Sequence, residues 1–324
     1  MKILVTGKGG QLAWELEQTV PASYDIISLG VNELDITNQA QVNEVVISHS
    51  PDIIINAAAY TAVDKAETDK ETAYAVNEKG SEYLALICKE INAKLIHVST
   101  DFVFDGTKTT PYQTDDTPNP INVYGDSKLQ GDIKVSEILG NQATIIRTAW
   151  VYSANGNNFV KTMLRLMAEK EQLGIVYDQV GTPTWAKGLA EMIWSLVERE
   201  KLKVKSDDEL ATLGEVTYRH SGIEERDIRN LSSSSAKLLH WTDAGVASWY
   251  DFAVAIQELA IEKGMLDKAI PVRPIPASAY PTPAARPSFS VIDKTTAEQA
   301  SGVETTHWRK QLSEMMNELN KSGK

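Results

Sequence analysis

Tyr124 and Lys128 stand four residues apart in Val-Tyr-Gly-Asp-Ser-Lys-Leu at 123–129, so on a helix they share one face. A phenol with a pKa of about 10 is a poor acid-base group at neutral pH. An ammonium beside it favours the phenolate and lowers that pKa, which is the tuning that general acid-base chemistry asks for. Of the eleven tyrosines only Tyr124 has a lysine four residues after it, although one such pair also arises by chance on a solvated helix. The segment Ser99-Thr100-Asp101 ends a short apolar run, at the carboxyl end of a strand, where open α/β sheets bind ligands. A hydroxyl placed there can hold a carbonyl oxygen while Tyr124 protonates it.

A second chemical element is the loop Thr6-Gly7-Lys8-Gly9-Gly10-Gln11-Leu12-Ala13, between an apolar run at 2–6 and a stretch with Leu12, Leu16 and Val20 four apart. Gly7 suits a tight turn, Gly10 lets a backbone approach a pyrophosphate, and Ala13 keeps the helix near the sheet. The helix start then offers free N–H groups and its positive dipole end to phosphate. Strand, glycine loop and helix in this order predict a dinucleotide site. The second strand ends Ser28-Leu29-Gly30, with no carboxylate for an adenosine ribose 2′-OH, while Lys8 is either placed to face a 2′-phosphate or simply solvated. NADPH is therefore favoured and NADH stays open. Asn56-Ala57-Ala58-Ala59-Tyr60-Thr61 supplies small residues with room for a nicotinamide ribose.

These residues need a frame. Runs at 2–6, 24–29, 53–56, 95–99 and 144–148 are short, β-branched and nearly continuous in apolarity, as strands buried on both faces must be. Helical patterns at 39–48, 71–92 and 123–139 alternate with them, and Pro21 stops the first helix. Such alternation implies right-handed crossovers and a parallel sheet covered on both sides. The fold class is α/β, a doubly wound Rossmann-type sheet over residues 1–150, with a smaller α/β substrate domain over 151–324. Helices at 158–170, 185–199 and 248–262 and strands at 173–177 and 238–241 follow, with elements near 184–200 and 236–247 returning to the first domain. Residues 200–235 are highly charged and end in four serines, which predicts a surface insertion; its Leu210, Leu213, Val216 and Tyr218 could alternatively form a docking face. Six of the twelve prolines fall within 271–287, which predicts an extended rigid loop. No internal repeat is present.

Composition narrows the classes. The 324 residues carry a net charge of −12, which disfavours non-specific binding to nucleic acid or anionic lipid. Cys88 is the single cysteine, so no intrachain disulfide forms. No window reaches the roughly 18 consecutive apolar residues of a membrane span. The N-terminus opens on a strand pattern and not on a signal peptide. A cytoplasmic protein is expected.

The motifs together are more specific than any one of them. Thr-Gly-x-x-Gly, Asn-Ala-Ala-Ala, Ser-Thr-Asp and Tyr-x-x-x-Lys occur in the order of an extended short-chain dehydrogenase/reductase. More narrowly, the chain resembles the dTDP-4-dehydrorhamnose reductase family almost end to end. The resemblance rests on Gly-Gly-Gln-Leu at 9–12, Ala-Ala-Ala-Tyr-Thr-Ala-Val-Asp-Lys-Ala-Glu at 57–67, Ser-Thr-Asp-Phe-Val-Phe-Asp-Gly at 99–106, Asn-Val-Tyr-Gly-Asp-Ser-Lys-Leu at 122–129 and Arg-Thr-Ala-Trp-Val-Tyr at 147–152. Gly-Asn-Asn-Phe-Val-Lys-Thr-Met at 156–163, Asp-Gln-Val-Gly-Thr-Pro-Thr at 178–184 and Ser-Ala-Tyr-Pro-Thr-Pro-Ala-Ala-Arg-Pro at 278–287 extend it.

That resemblance implies reduction of the 4-keto group of a dTDP-sugar by NADPH, for surface polysaccharide. It implies that Gly7, Gly10, Gln11 and Leu12 contact the cofactor phosphates and that Asp35 and Ile36 flank the adenine. Ala59, Tyr60 and Thr61 would line the nicotinamide side, Tyr124 would donate the proton and Lys128 would bind the nicotinamide ribose. Thr100 and Asp101 would meet the sugar and Trp150 would cover it. Arg286 reads either as a clamp on a nucleotide diphosphate or as an interface arginine. Mg²⁺ at the dimer contact of some relatives suggests Glu15 here, although a lone helical glutamate is normally solvated; a homodimer stays open. Ala13 stands where a third glycine is usual, and 200–235 is longer than the family usually has there. The five histidines (His49, His97, His220, His240 and His307) show no ligand spacing, and Trp185 and Trp249 read as core residues. The rival readings are an epimerase or 4,6-dehydratase of the same fold, or a non-catalytic regulatory subunit like that of methionine adenosyltransferase. Phe102 after Asp101, where dehydratases carry glutamate, argues against dehydration.

Overall fold

The computed structural model describes residues 1–212 and 235–322. Its centre is a six-stranded, wholly parallel sheet of β1 (Lys2–Thr6), β2 (Asp25–Leu29), β3 (Ile53–Asn56), β4 (Lys94–Thr100), β5 (Ala143–Thr148) and β10 (Lys237–His240). The strand order is β10-β5-β4-β3-β1-β2, so the chain reverses its direction of travel between β1 and β3. That switch point is where a doubly wound sheet opens a crevice.

The alternation of side chains divides the core into two. Ile3, Val5, Ile53, Ile55, Ile96 and Ile146 face α1 (Gln11–Thr19) and α8 (Ala186–Thr212). Leu4, Ile54, Leu95 and Ile145 face α2 (Gln39–His49), α5 (Ser81–Glu90) and α6 (Val123–Leu139). A separate apolar cluster joins α7 (Phe159–Glu169), α9 (Trp249–Glu262) and α11 (Trp308–Ser322), with Val160, Phe252, Ile256 and Leu312 at its centre. Small paired strands attach it: β6 (Val151–Tyr152) with β9 (Thr184–Trp185), and β8 (Val180–Gly181) with β11 (Ala247–Ser248). Helix α10 (Thr295–Ser301) packs on α8.

Three sequence expectations are corrected. The helix expected over 71–92 is divided into α4 (Lys70–Tyr74), a π-turn at Ala75–Gly80 and α5. The 271–287 loop contains a strand, β12 (Val272–Ile275), parallel to β7 (Leu173–Val176). Pro274 is tolerated because this is an edge pair. Helix α8 does not stop at Arg199 but continues to Thr212, since Lys, Leu and Glu, which recur in this stretch, are good helix formers as well as solvated residues. The rest of the expected 200–235 insertion, with Leu213, Val216 and Tyr218, lies outside the described residues.

Helix α6 matters most for function. Asn122 caps it by accepting from Gly125 N at 2.7 Å, and its own amide donates to Ala285 O at 2.7 Å. A Cβ at Gly125 would collide with Phe102 O, and one at Gly131 with Asn77 O. The two bare positions let α6 lie directly on the end of β4 and on the π-turn, carrying Tyr124 and Lys128 to the sheet's carboxyl edge.

Candidate active site

A cavity of about 890 Å³ opens at that edge. The glycine loop forms one end. Gly7 takes a left-handed φ of 80°, and a Cβ there would stand 2.8 Å from Ala58 N. Gly10 N donates to Gly7 O at 3.0 Å, and Gly10 starts α1 with no side chain over the helix end. The first intrahelical bond runs from Trp14 N to Gly10 O, so the amides of Gln11 and Leu12 are left for an anion.

Asp35 and Ile36, expected beside the adenine, line the cavity, where Asp35 Oδ1 holds its own turn by accepting from Thr37 N at 2.9 Å and Thr37 Oγ1 at 2.7 Å. Strand β2 ends at Leu29, and Gly30 follows with no carboxylate at the strand end. Glu33, three residues on, folds back so that its Oε2 accepts from Gly30 N at 3.0 Å, near Lys8. Lys8 lines the cavity, and Glu33 stands just beyond its lining.

The segment with Ala59, Tyr60 and Thr61 forms the middle wall. It is clamped by Asn77 of the π-turn, which accepts from Tyr60 N at 2.9 Å and donates to Tyr60 O at 3.1 Å and Ser127 Oγ at 2.9 Å. No spacing in the sequence announces this clamp. π-turns are frequent at functional sites.

Across from it lie Thr100, Asp101, Tyr124 and Lys128. Tyr124 packs edge-on against Phe102, with ring centroids 5.6 Å apart. Its pKa is pushed up to about 12, burial outweighing a hydrogen bond with the Thr100 side chain. This reverses the expectation of a lowered phenol: desolvation wins. Lys128 is fully buried and its Nζ donates to Val98 O at 2.7 Å. Burial brings its pKa down to about 8, against the opposing pull of Asp132. Asp101 accepts from Thr100 Oγ1 at 3.1 Å and is raised to about 6 by its burial.

At the far end Trp150 holds a φ of 47°, a strained value for a bulky residue. It stacks on Trp249 with centroids 3.6 Å apart and planes 9° from parallel. Both line the cavity, so Trp249 is a wall of the site and not only a core residue. Trp185 is buried and its Nε1 donates to Glu15 at 3.2 Å. Glu15 is itself buried, receives Ser153 Oγ at 2.7 Å, and is raised in pKa chiefly by burial. It is therefore neither solvated nor at a surface contact, and Mg²⁺ finds no support: no group of three His, Cys, Asp or Glu among the described residues could hold a metal ion. Arg286 lies on the cavity wall with both Nη atoms on Asp64, at 2.9 and 2.8 Å.

Comparison with known proteins adds the following. The family model described as the RmlD substrate binding domain matches residues 1–217 and 223–321. A dTDP-4-dehydrorhamnose reductase of Aggregatibacter actinomycetemcomitans is 37% identical over 96% of this chain and 97% of its own. The spore coat polysaccharide biosynthesis protein SpsK of Bacillus subtilis is 36% identical over 98% and 97%. The crystal structure of dTDP-4-dehydrorhamnose reductase from Bacillus anthracis in complex with NADP superposes with a TM-score of 0.80 at 32% identity, over 98% of this chain and 99% of that one.

Proposed function

The chain belongs to the RmlD substrate binding domain family, that of the dTDP-4-dehydrorhamnose reductases, and from that membership we propose that it reduces dTDP-4-dehydro-β-L-rhamnose to dTDP-L-rhamnose with NADPH. The observation that carries this reading is the convergence of Tyr124, Lys128 and Thr100 on one cavity whose other end is the glycine loop.

The residues fit a dinucleotide. The tight left-handed turn at Gly7, packed on the Ala57–Ala58 backbone, and the uncapped start of α1 at Gly10 suit a pyrophosphate. Asp35 and Ile36 take the adenine side, and Ala59, Tyr60, Thr61 and Lys128 the nicotinamide ribose. Bound there, NADPH supplies the hydride for C4 of the sugar. Thr100 holds the keto oxygen and Tyr124 gives it a proton as the carbon is reduced, so that no unpaired alkoxide accumulates. A phenol kept protonated by burial suits this direction of reaction. Trp150 and Trp249 cover the sugar, with Asp101 below it. Arg286, whose two Nη atoms are held by Asp64, meets the diphosphate with the N–H groups which that pair leaves open.

NADPH is used at least as well as NADH in this reading, with Lys8 and Glu33 pulling in opposite directions. The partner is a dTDP-sugar and the place of reaction the cytoplasm; no helix among the described residues is long and apolar enough to cross a membrane. A homodimer rests on the resemblance alone. The product would serve surface polysaccharide, as the name of the SpsK relative suggests. The test is sugar-dependent NADPH oxidation with the product identified by mass and by its C4 stereochemistry. Tight NADPH binding without turnover would favour a regulatory role, and interconversion of an unoxidised sugar nucleotide would favour an epimerase.

A further inference from the structure

Beneath the cavity floor the space between the sheet and α6 is filled by polar side chains. Strand alternation puts His97 and Ser99 of β4 and Arg147 of β5 on the face that α6 covers, directly beyond the apolar Leu95 and Ile145. Asp132 enters from α6, one turn after Lys128 on the same face. His97, Ser99, Asp132, Arg147 and Lys128 are all buried. Arg147 Nε donates to Asp132 Oδ2 at 3.3 Å, and His97 Nε2 stands 3.6 Å from Asp132 Oδ1. On its other side His97 Nδ1 meets Asn56 Nδ2 at 3.1 Å, and Asn56 Oδ1 receives Thr6 Oγ1 at 2.7 Å.

A buried ion pair is seldom more stabilising than apolar residues of the same volume. One layer deeper, this same space is filled by Leu95, Ile145 and Val135. Packing therefore does not account for the charges, but their position under Lys128 does. A buried lysine sheds its proton unless an anion opposes the desolvation, and a neutral amine is a weaker partner for ribose hydroxyls than an ammonium.

We propose that Asp132, held in place by Arg147 and His97, is a positioning residue whose carboxylate keeps Lys128 an ammonium at working pH and so sets the alkaline limit of cofactor binding. This rests on the reductase reading and deepens it. The ionisable groups around Lys128 are Tyr124 and Asp132 on its own helix, His97 on β4, Asp101 beyond β4 and Arg147 on β5. His97 is held neutral, first by burial and then by Lys128 itself. From elements packed on α6, Cys88 of α5 is buried and pushed up to about 12, Tyr74 of α4 is bonded to Asp126, and Asp64 is paired with Arg286. His240 of β10 lies beyond Arg147 and is lowered to about 4, mainly by burial. Asp132 is the group whose charge raises Lys128 against its burial.

The test is the pH dependence of NADPH affinity, read by fluorescence without sugar, in wild type, Asp132→Asn and Asp132→Glu. The wild type should lose affinity as pH rises through about 8, the value that burial and the opposing charge of Asp132 together give Lys128. In Asp132→Asn that limb should move down by about one pH unit, so that at pH 8 affinity falls about fivefold further relative to its acidic plateau. Asp132→Glu should restore the limb. A structural role would weaken binding or lower Tm equally at every pH. Because Asp132→Asn strands Arg147, the double variant Asp132→Asn with Arg147→Met is measured beside it. An unmoved limb in a folded variant overturns the proposal, and so does failure of both variants to fold, because the carboxylate is then a structural need. A wild type that binds no NADPH at any pH would instead overturn the reductase reading and this proposal with it.

Discussion

Replacing Tyr124 with phenylalanine removes one oxygen and leaves the ring. The edge-on contact with Phe102, 5.6 Å between centroids, is retained, and nothing in the glycine loop is touched. What is lost is a phenolic proton that burial keeps in place, with the pKa pushed up to about 12. General acid catalysis of this kind contributes about 10²–10⁴ in rate, or roughly 2.7–5.4 kcal/mol of barrier. Thr100 is a poor replacement as proton donor, since an aliphatic hydroxyl is a far weaker acid than a phenol. Single-turnover reduction of the dTDP-4-keto sugar should therefore slow at least about a hundredfold, while NADPH affinity changes less than about twofold. Single turnover is the right assay because product release otherwise hides the chemical step. A variant that keeps more than about a tenth of the wild-type rate would falsify the assignment of Tyr124 as proton donor. Equal losses of rate and of NADPH affinity would show that the hydroxyl acts in binding.

Asp101→Asn should stabilise the fold at pH 8 while weakening the sugar site. Its carboxyl is raised from 3.8 to about 6 by burial, so the folded state favours the protonated form and ionisation above that range costs about 2–3 kcal/mol. The gain in stability should shrink as pH falls through about 6 and be absent near pH 4; a gain independent of pH, read from denaturant melts, would contradict the burial argument. Gly181→Ala should raise KM for the sugar nucleotide several-fold with little change for NADPH, because the new Cβ would lie 2.8 Å from Trp150 Cε2 and overpacking of this kind costs about 1–3 kcal/mol. An unchanged KM would remove Trp150 from the substrate wall. Glu33→Gln should shift the ratio of NADPH to NADH affinity toward NADPH by about two- to fivefold, a modest figure because the side chain is exposed and screened. A shift toward NADH would show that Glu33 does not face the 2′-position.

The parallel sheet was legible because five of its six strands are continuous apolar runs, and only burial on both faces calls for such runs. The sixth, β10, is four residues long and reaches β5 only after the chain has left the sheet and returned. Its Leu-Leu-His-Trp pattern still marked it as a strand. Density of charge beyond Arg199 suggests exposure, but charge does not oppose helix formation, and α8 runs on to Thr212. Prolines hid β12 for a similar reason: they exclude a central strand, but at an edge pair the missing N–H is not needed. The π-turn had no local signal at all. Its extra residue is set by the fit of Asn77 between Tyr60 and Ser127, a contact between three distant segments.

The same distinction between local and distant information separates the site residues that could be read from those that could not. Gly7, Gly10, Gln11, Thr100, Tyr124 and Lys128 belong to short motifs at element ends, where backbone geometry makes the demand on residue type. The carboxylate of Glu33, at the border of the site, reaches Gly30 only when the turn after β2 folds back, which no local spacing shows. Trp249 comes to Trp150 from about a hundred residues away and could be placed only by the packing of α9. Asp132, His97 and Arg147 come from three separate elements, and neither His97 nor Arg147 has a neighbour along its own strand that would mark it as functional. Yet the four-residue step from Lys128 to Asp132 was there to be read, by the same helical rule that paired Tyr124 with Lys128. Applied once more along the helix, that rule leads from the proton donor to the ammonium and from the ammonium to the anion beneath it. The chemistry of this site is therefore written as three successive turns of α6 lying against the carboxyl ends of β4 and β5.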